Sequence, residues 1–286
     1  VKEKSRSPHA YLPTSLQDLL SLKNEEPTAL LYAGGTYILR DQRKHINLPG
    51  TVLSMEKIEE LYRIHRTERY LEIGAMVPIN TILEMGKYVL PPALGACLRS
   101  ITPPAVRNLA TLVGNLCVPQ NRMDSFPLLH IMDSRVEIRS SQHSTWIPMT
   151  RFYNPQGGIT LEANEVVTRI RIPDEQWNKQ VYRKIGSTNA PSANSVSLCG
   201  LATVQKSVVA DIRFAFGMLG PVIIRSRKLE AEILGRRLPL GERDRETLEE
   251  MITQTCNQYR EIITPFQRSR IRRLFLWFLT SISVDT

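Results

Sequence analysis

Residues Pro173, Asp174 and Glu175 part this sequence into two stretches whose hydrophobic periods differ. After them the pattern is long-stranded. Residues 182–185, 195–204 and 208–218 read as a three-stranded meander, with Ile212, Phe214, Phe216 and Met218 on one face at a period of two. Helical stretches follow over 227–234, 244–262 and 269–281. Before the break the elements are short and mixed. A helix over 15–23 carries Leu16, Leu19 and Leu20 with Ser15 as its cap, and strands are expected over 29–33, 51–55, 70–75, 136–139 and 165–172. Helices are expected over 78–89, 93–101 and 125–132, interrupted at Pro91 and Pro92 and again at Pro103 and Pro104, while 109–116 reads as extended. Proline ends a strand ladder, which puts the boundary within 173–179. The expectation is an α+β chain. One domain covers 1–175, itself in two parts of about 1–57 and 58–175. A smaller one covers 176–286, with helices on one side of a three-stranded antiparallel sheet.

Composition narrows what such a fold can do. A hydrophobic content of 42% is enough for a packed core. The net charge of +9 could draw nucleic acid, an acidic membrane or an acidic partner. The basic residues are spread out, however, and their densest run (Arg268, Arg270, Arg272, Arg273) has no nucleic-acid motif around it. Two readings of that run stand: a terminal helix packing its apolar 274–279 stretch on the core, or a helix that docks a partner subunit. Cys97, Cys117, Cys199 and Cys256 form no C-x-x-C pair, which argues for buried reduced thiols and against zinc or iron–sulfur ligands. His9, His45, His65, His130 and His143 lack metal-ligand spacing, and Ser125 and Ser187 lack the setting of a nucleophile elbow. No apolar run approaches the roughly 20 residues that span a bilayer, and residues 1–10 are polar, so the expected location is cytoplasmic, with no membrane or nucleic-acid partner.

Two turns carry the chemistry. Leu30, Leu31, Tyr32, Ala33, Gly34, Gly35, Thr36 and Tyr37 run from a buried strand through two glycines into a helical turn opened by a hydroxyl. Glycines let the backbone turn tightly and let a ligand approach, and successive N–H groups of such a turn form a nest for a pyrophosphate. The third glycine and the βαβ spacing of the dinucleotide fingerprint are missing, so an ordinary turn is the other reading. The second feature is Arg107, Asn108, Leu109, Ala110, Thr111, Leu112, Val113, Gly114 and Asn115. Asp124 follows at a helix start, either as an N-cap or as a ligand group.

Taken together, the two turns resemble the flavoprotein subunits of molybdenum hydroxylases, the xanthine dehydrogenase and carbon monoxide dehydrogenase family. These carry A-G-G-T and later R-N-x-A-T-[IL]-G-G-N, then an aspartate before a short helix. The likeness continues through residues 165–173, through Tyr182, Arg183 and Lys184, and through Phe216, Gly217, Pro221 and Arg225, covering most of 10–270. It implies a two-part FAD-binding fold of the vanillyl-alcohol oxidase type followed by a small C-terminal domain. It implies that the FAD pyrophosphate lies on Leu31, Tyr32, Ala33, Gly34, Gly35, Thr36 and Tyr37 and beside Thr111, Gly114 and Asn115, with Ile101 as a further contact. Asp124 would bind ribityl or ribose hydroxyls, the Val167 backbone would approach the flavin ring, and Lys184 would lie near the isoalloxazine, where a cation stabilises the reduced form. The implied activity is that of an oxidoreductase subunit passing electrons from iron–sulfur clusters through FAD to NAD+ or another acceptor. The clusters would sit on a small partner subunit and the molybdopterin on a large one, in a hetero-oligomer.

Some positions depart from the family pattern. Val113 replaces a glycine, where it is expected to crowd the cofactor or to force a φ that a β-branched residue disfavours. Tyr37 stands where a small polar residue is common, Thr188 and Ser192 where Arg and Asp are common, and 267–270 replaces an acidic and Tyr-Arg segment. These changes motivate a second reading, a non-catalytic assembly or regulatory paralogue that kept the fold and lost flavin binding.

Overall fold

The computed structural model of the chain describes residues 9–39, 50–118, 123–154, 158–186 and 194–283. It divides into two units. One is built from residues up to 82 with 104–119 and 133–174; the other takes 83–103, 120–132 and everything from Glu175. The break after Asp174 therefore coincides with the change in period, but two earlier segments join the later unit.

The first unit holds two sheets. His9–Tyr11, Thr51–Ser54 and Leu30–Tyr32 lie parallel in that order. Parallel strands need a crossover, and the helix Leu16–Glu25 follows His9–Tyr11 and precedes Leu30–Tyr32. Ser15 caps it, accepting from Asp18 N at 3.1 Å, and the Leu16, Leu19 and Leu20 stripe is buried. The second sheet is antiparallel, ordered Ile64–Arg66, Tyr70–Gly74, Val166–Pro173, Arg135–Arg139, Ser144–Pro148. Alternation sorts its faces: Leu71, Ile73, Val136, Ile170 and Ile172 enter the core. Glu72, Glu137, Arg169 and Arg171 form a charged ladder, with Arg169 Nε 2.8 Å from Glu137 and Arg171 Nε 2.8 Å from Glu72.

The second unit is built on four antiparallel strands, not the expected three, ordered Val222–Ile224, Val208–Leu219, Val196–Gln205, Lys179–Ile185. The extra strand arises because Met218 and Gly220, both at positive φ, fold the chain back on itself. One face is apolar: Leu198, Ala202, Phe214 and Phe216 pack with Leu229, Leu248, Ile252, Phe275 and Phe278. These core residues come from the helices Arg227–Ile233, Glu242–Asn257 and Pro265–Ser281. A Cβ on Gly200 would strike the Phe278 ring, so that glycine lets the last helix lie close. The opposite face is covered as well, by Pro92–Ser100 and Ser125–Ile131. Helices thus lie on both sides of this sheet, where one side was expected, because the two borrowed segments supply the second layer.

Two earlier expectations also change. Residues 109–116 are not extended throughout: Thr111 accepts from Gly114 N at 2.9 Å and so caps the helix Leu112–Leu116. The expected helix over 78–89 is only Ile79–Glu84, stopped near Gly86 at φ +79°. The apolar stretch 274–279 packs Leu274, Phe275, Phe278 and Leu279 into the core, while Arg272 pairs with Glu249 at 2.6 Å. Among the described residues no helix is long and apolar enough to cross a membrane.

Candidate functional site

In the first unit the two turns meet. The strand Leu30–Tyr32 pairs with Thr51–Ser54, and Met55 N donates to Tyr32 O at 3.0 Å. Gly35 follows, buried and at φ +66°, a conformation that glycine adopts without Cβ strain. Leu39 N closes a single turn on Gly35 O at 2.9 Å. A Cβ on Gly34 would be driven into the Leu109 carbonyl, so the first turn rests directly on the second. The second is anchored from below. Ile79 N donates to Ala110 O at 2.8 Å, Arg107 Nε to Asn80 Oδ1 at 3.1 Å, and Asn80 Nδ2 to Pro104 O at 3.1 Å. Tyr153 donates its hydroxyl to Leu116 O. Among the described residues the N–H groups of Gly34, Gly35, Thr36 and Ile38 meet no protein acceptor, and neither does that of Val113 in the first helical turn. Backbone donors left open at two adjoining turns are the chemistry an oxyanion or pyrophosphate requires.

Val113 does not strain the second turn. It sits in the helix Leu112–Leu116, is 4% exposed, and is not among the residues at positive φ. Its side chain points into protein and its backbone is ordinary, so the expected strain does not arise.

In the second unit a polar cluster lies between the sheet and its two covering helices. Asp124 does not cap the helix Ser125–Ile131: its backbone is itself helical and its side chain makes no capping bond. Its carboxylate instead accepts from Tyr182 Oη at 2.9 Å and from Lys184 Nζ at 3.0 Å. The Asp124 and Lys184 side chains are 7% and 8% exposed, so this is a buried ion pair. Ser100 Oγ lies 3.0 Å from Tyr182 Oη, and Cys97 Sγ lies 3.4 Å from Asp124 O. Burial, with Cys97 and Asp124 nearby, pushes the Tyr182 phenol well up. Burial likewise pushes the Cys97 and Cys199 thiols well up, so they stay protonated. Gly217 brings the covering helix close, since a Cβ there would strike Pro127.

The structure therefore gathers the expected residues into two groups. Leu31, Tyr32, Ala33, Gly34, Gly35, Thr36, Tyr37, Thr111, Gly114 and Asn115 belong to the adjoining turns, and Val167 is buried in the strand Val166–Pro173 of the same unit. Asp124 and Lys184 form the cluster of the other unit, where Ile101 ends the helix Pro92–Ser100. Thr188 and Ser192 lie outside the described residues. Sequence reasoning missed Tyr182 and Ser100 as partners of Asp124. The only local signal was that Tyr182 and Lys184, two apart on a strand, share a face. Two surface grooves of about 900 and 530 Å³ contain neither glycine turn. Among the described residues no His, Cys, Asp and Glu group could hold a metal.

The profile of one protein family, described as the FAD binding domain in molybdopterin dehydrogenase, matches residues 5–175. The chain belongs to that family. Its relatives in the FAD-binding family include a putative xanthine dehydrogenase FAD-binding subunit of Escherichia coli (strain K12), 26% identical over 84% of this chain and 83% of that protein. The xanthine dehydrogenase/oxidase of Gallus gallus is 24% identical over 78% of this chain, which corresponds to only 18% of that longer protein. Among solved structures, carbon monoxide dehydrogenase from Hydrogenophaga pseudoflava superposes with a TM-score of 0.82 at 20% identity, over 96% of both chains. Quinoline 2-oxidoreductase from Pseudomonas putida 86 gives 0.80 at 20% identity, over 99% of this chain and all of that one. These superpositions establish the shared mixed α+β fold.

Proposed function

We propose that this chain is the FAD-binding, electron-transferring subunit of a xanthine dehydrogenase-like molybdenum hydroxylase. The observation that carries the reading is the seating of Gly34 on Leu109, which sets two turns with unsatisfied N–H groups side by side. The donors of Gly34, Gly35, Thr36 and Ile38 would hold the pyrophosphate, with Val113 N–H and the Thr111 hydroxyl beside them. Val167 would offer backbone contact in the same unit, while in the other unit the Asp124 carboxylate and the Lys184 cation already compensate each other. Bound FAD supplies the electron-carrying chemistry, and the protein holds and tunes it. In the assembly so proposed, a cytoplasmic hetero-oligomer, the iron–sulfur clusters would lie on a small partner subunit and the molybdopterin on a large one, with NAD+ or another acceptor taking the electrons. The paralogue reading loses one of its grounds, because Val113 neither strains the backbone nor stands in the open.

The test is direct. The chain is purified with added FAD, desalted, and its visible spectrum recorded. A flavin spectrum near one FAD per chain is expected. A colourless protein that rejects FAD would sink the proposal and return the non-catalytic paralogue to the front.

A further inference from the structure

The Tyr32 side chain lies at the glycine turn. A Cβ added to Gly35 would collide with Oη, Cζ and Cε2 of Tyr32, so the phenol edge of Tyr32 lies directly against the Gly35 backbone. Tyr32 is only half-buried, and among the described residues its hydroxyl has no hydrogen-bond partner. It closes the strand Leu30–Tyr32, and its own backbone is pinned by the strand pairing with Ser54 and by the Met55 N bond to its carbonyl. The ring is therefore delivered from a fixed strand end to the turn whose Gly34, Gly35 and Thr36 N–H groups meet no acceptor among the described residues.

We infer that Tyr32 is a binding residue of the same site, its hydroxyl adding a side-chain donor to the backbone nest and bonding an oxygen of the ligand's diphosphate. This rests on the reading of the turns as a flavin pyrophosphate site and says more than it. The backbone alone is a nest for any oxyanion, whereas a phenol held over Gly35 adds directional recognition of a diphosphate oxygen. It also gives Gly35 a second constraint. The residue must be glycine for its positive φ and again because the phenol occupies the space that a side chain would need.

The experiment compares the full chain with Tyr32→Phe and Tyr32→Leu. FAD and ADP, which both carry a diphosphate, are titrated by flavin or protein fluorescence, with thermal unfolding as the fold control. A hydrogen bond to a charged group corresponds to roughly a 10- to 100-fold change in Kd. Tyr32→Phe, which keeps the ring, is expected to weaken FAD and ADP alike by that factor with an unchanged unfolding midpoint. If Tyr32→Phe binds as tightly as the wild type and only Tyr32→Leu is weakened, the ring is a filler and the inference is overturned. If both variants bind more tightly, the phenol obstructs the site, and the inference again fails. A wild-type chain that takes up neither ligand overturns the flavin reading itself. Normal wild-type binding with an unaffected Tyr32→Phe overturns this inference alone.

Discussion

The glycine turns of the first unit and the Asp124–Lys184 cluster of the second are both organised around charge, but they are made of different material. At the turns the working groups are backbone N–H donors, and the residues that matter are those whose side chains are missing: Gly34, because Leu109 occupies its Cβ space, and Gly35, because its φ is +66°. At the cluster the backbone is ordinary, and the working groups are side chains drawn from two helices and a strand, Ser100, Asp124, Tyr182 and Lys184. A backbone site tolerates many side chains but almost no added atom at its glycines. A buried side-chain cluster tolerates backbone variation but not the loss of one partner. Substitution should therefore hurt the two places in opposite ways, and by different amounts.

The largest effect is expected at the cluster. Asp124→Ala leaves the Lys184 ammonium buried without its counter-charge, which costs about 3–5 kcal/mol for a broken buried pair. Denaturant unfolding of the purified chain measures it. The double change Asp124→Leu with Lys184→Met removes both charges and should recover most of the loss, since apolar replacements of a buried pair are often neutral. A cost under about 1 kcal/mol for Asp124→Ala would mean the pair behaves like a surface one, and the contrast with the turns would collapse.

Next in size is Gly34→Ala. One methyl group must displace the Leu109 carbonyl, a backbone group that cannot swing aside, so the cost is about 1–3 kcal/mol of overpacking. The second motif moves with it, and FAD uptake should fall sharply. The diagnostic outcome is loss of flavin from a chain that remains folded, whereas Asp124→Ala should lower stability first. Gly34→Ala with full FAD content and an unchanged unfolding midpoint would show that the two turns do not need their close approach.

The same contrast explains what the sequence revealed. The turns were legible because glycine is informative by itself: two glycines after an apolar strand already imply a tight bend. A boundary within 173–179 was expected because a proline and a change of period coincide there. The cluster was legible only in fragments. No local pattern ties Ser100 to Tyr182, and Asp124 stood open between a helix cap and a ligand group because sequence alone cannot tell a capping aspartate from one facing a distant lysine. The fourth strand of the second unit was missed because three residues, Val222–Ile224, carry too little alternation to read. The capping box at the last helix, Thr264 with Gln267 and Pro265 at its first turn, was readable from spacing alone, and it places the helix start at Pro265, ahead of the expected 269.

The smallest effect is expected at a charged pair that is neither backbone nor fully buried, and it sets the scale between the two. Glu137 is buried in the first unit, but its partner Arg169 is 38% exposed, 2.8 Å away, with Thr168 Oγ1 donating at 2.6 Å. Burial works to raise the Glu137 carboxyl, but the bonds from Arg169 and Thr168 and the charges of Arg169 and Arg139 outweigh it and hold it below its usual range. A carboxyl lowered in the folded state stabilises the fold fully above its unfolded pKa, about 4.3 for glutamate, and loses that contribution as pH falls through the folded value. The stability difference between wild type and Glu137→Gln should therefore be constant above about pH 5 and shrink progressively below about 4.3. Its size at neutral pH should stay near or under about 1 kcal/mol, because water reaches the arginine. Urea midpoints measured from pH 3 to 7 decide it. A difference that grows on acidification would mean the carboxyl is raised, with burial winning over its partners. A neutral-pH loss as large as that of Asp124→Ala would show that exposure of one partner is not what separates weak from strong pairs in this chain.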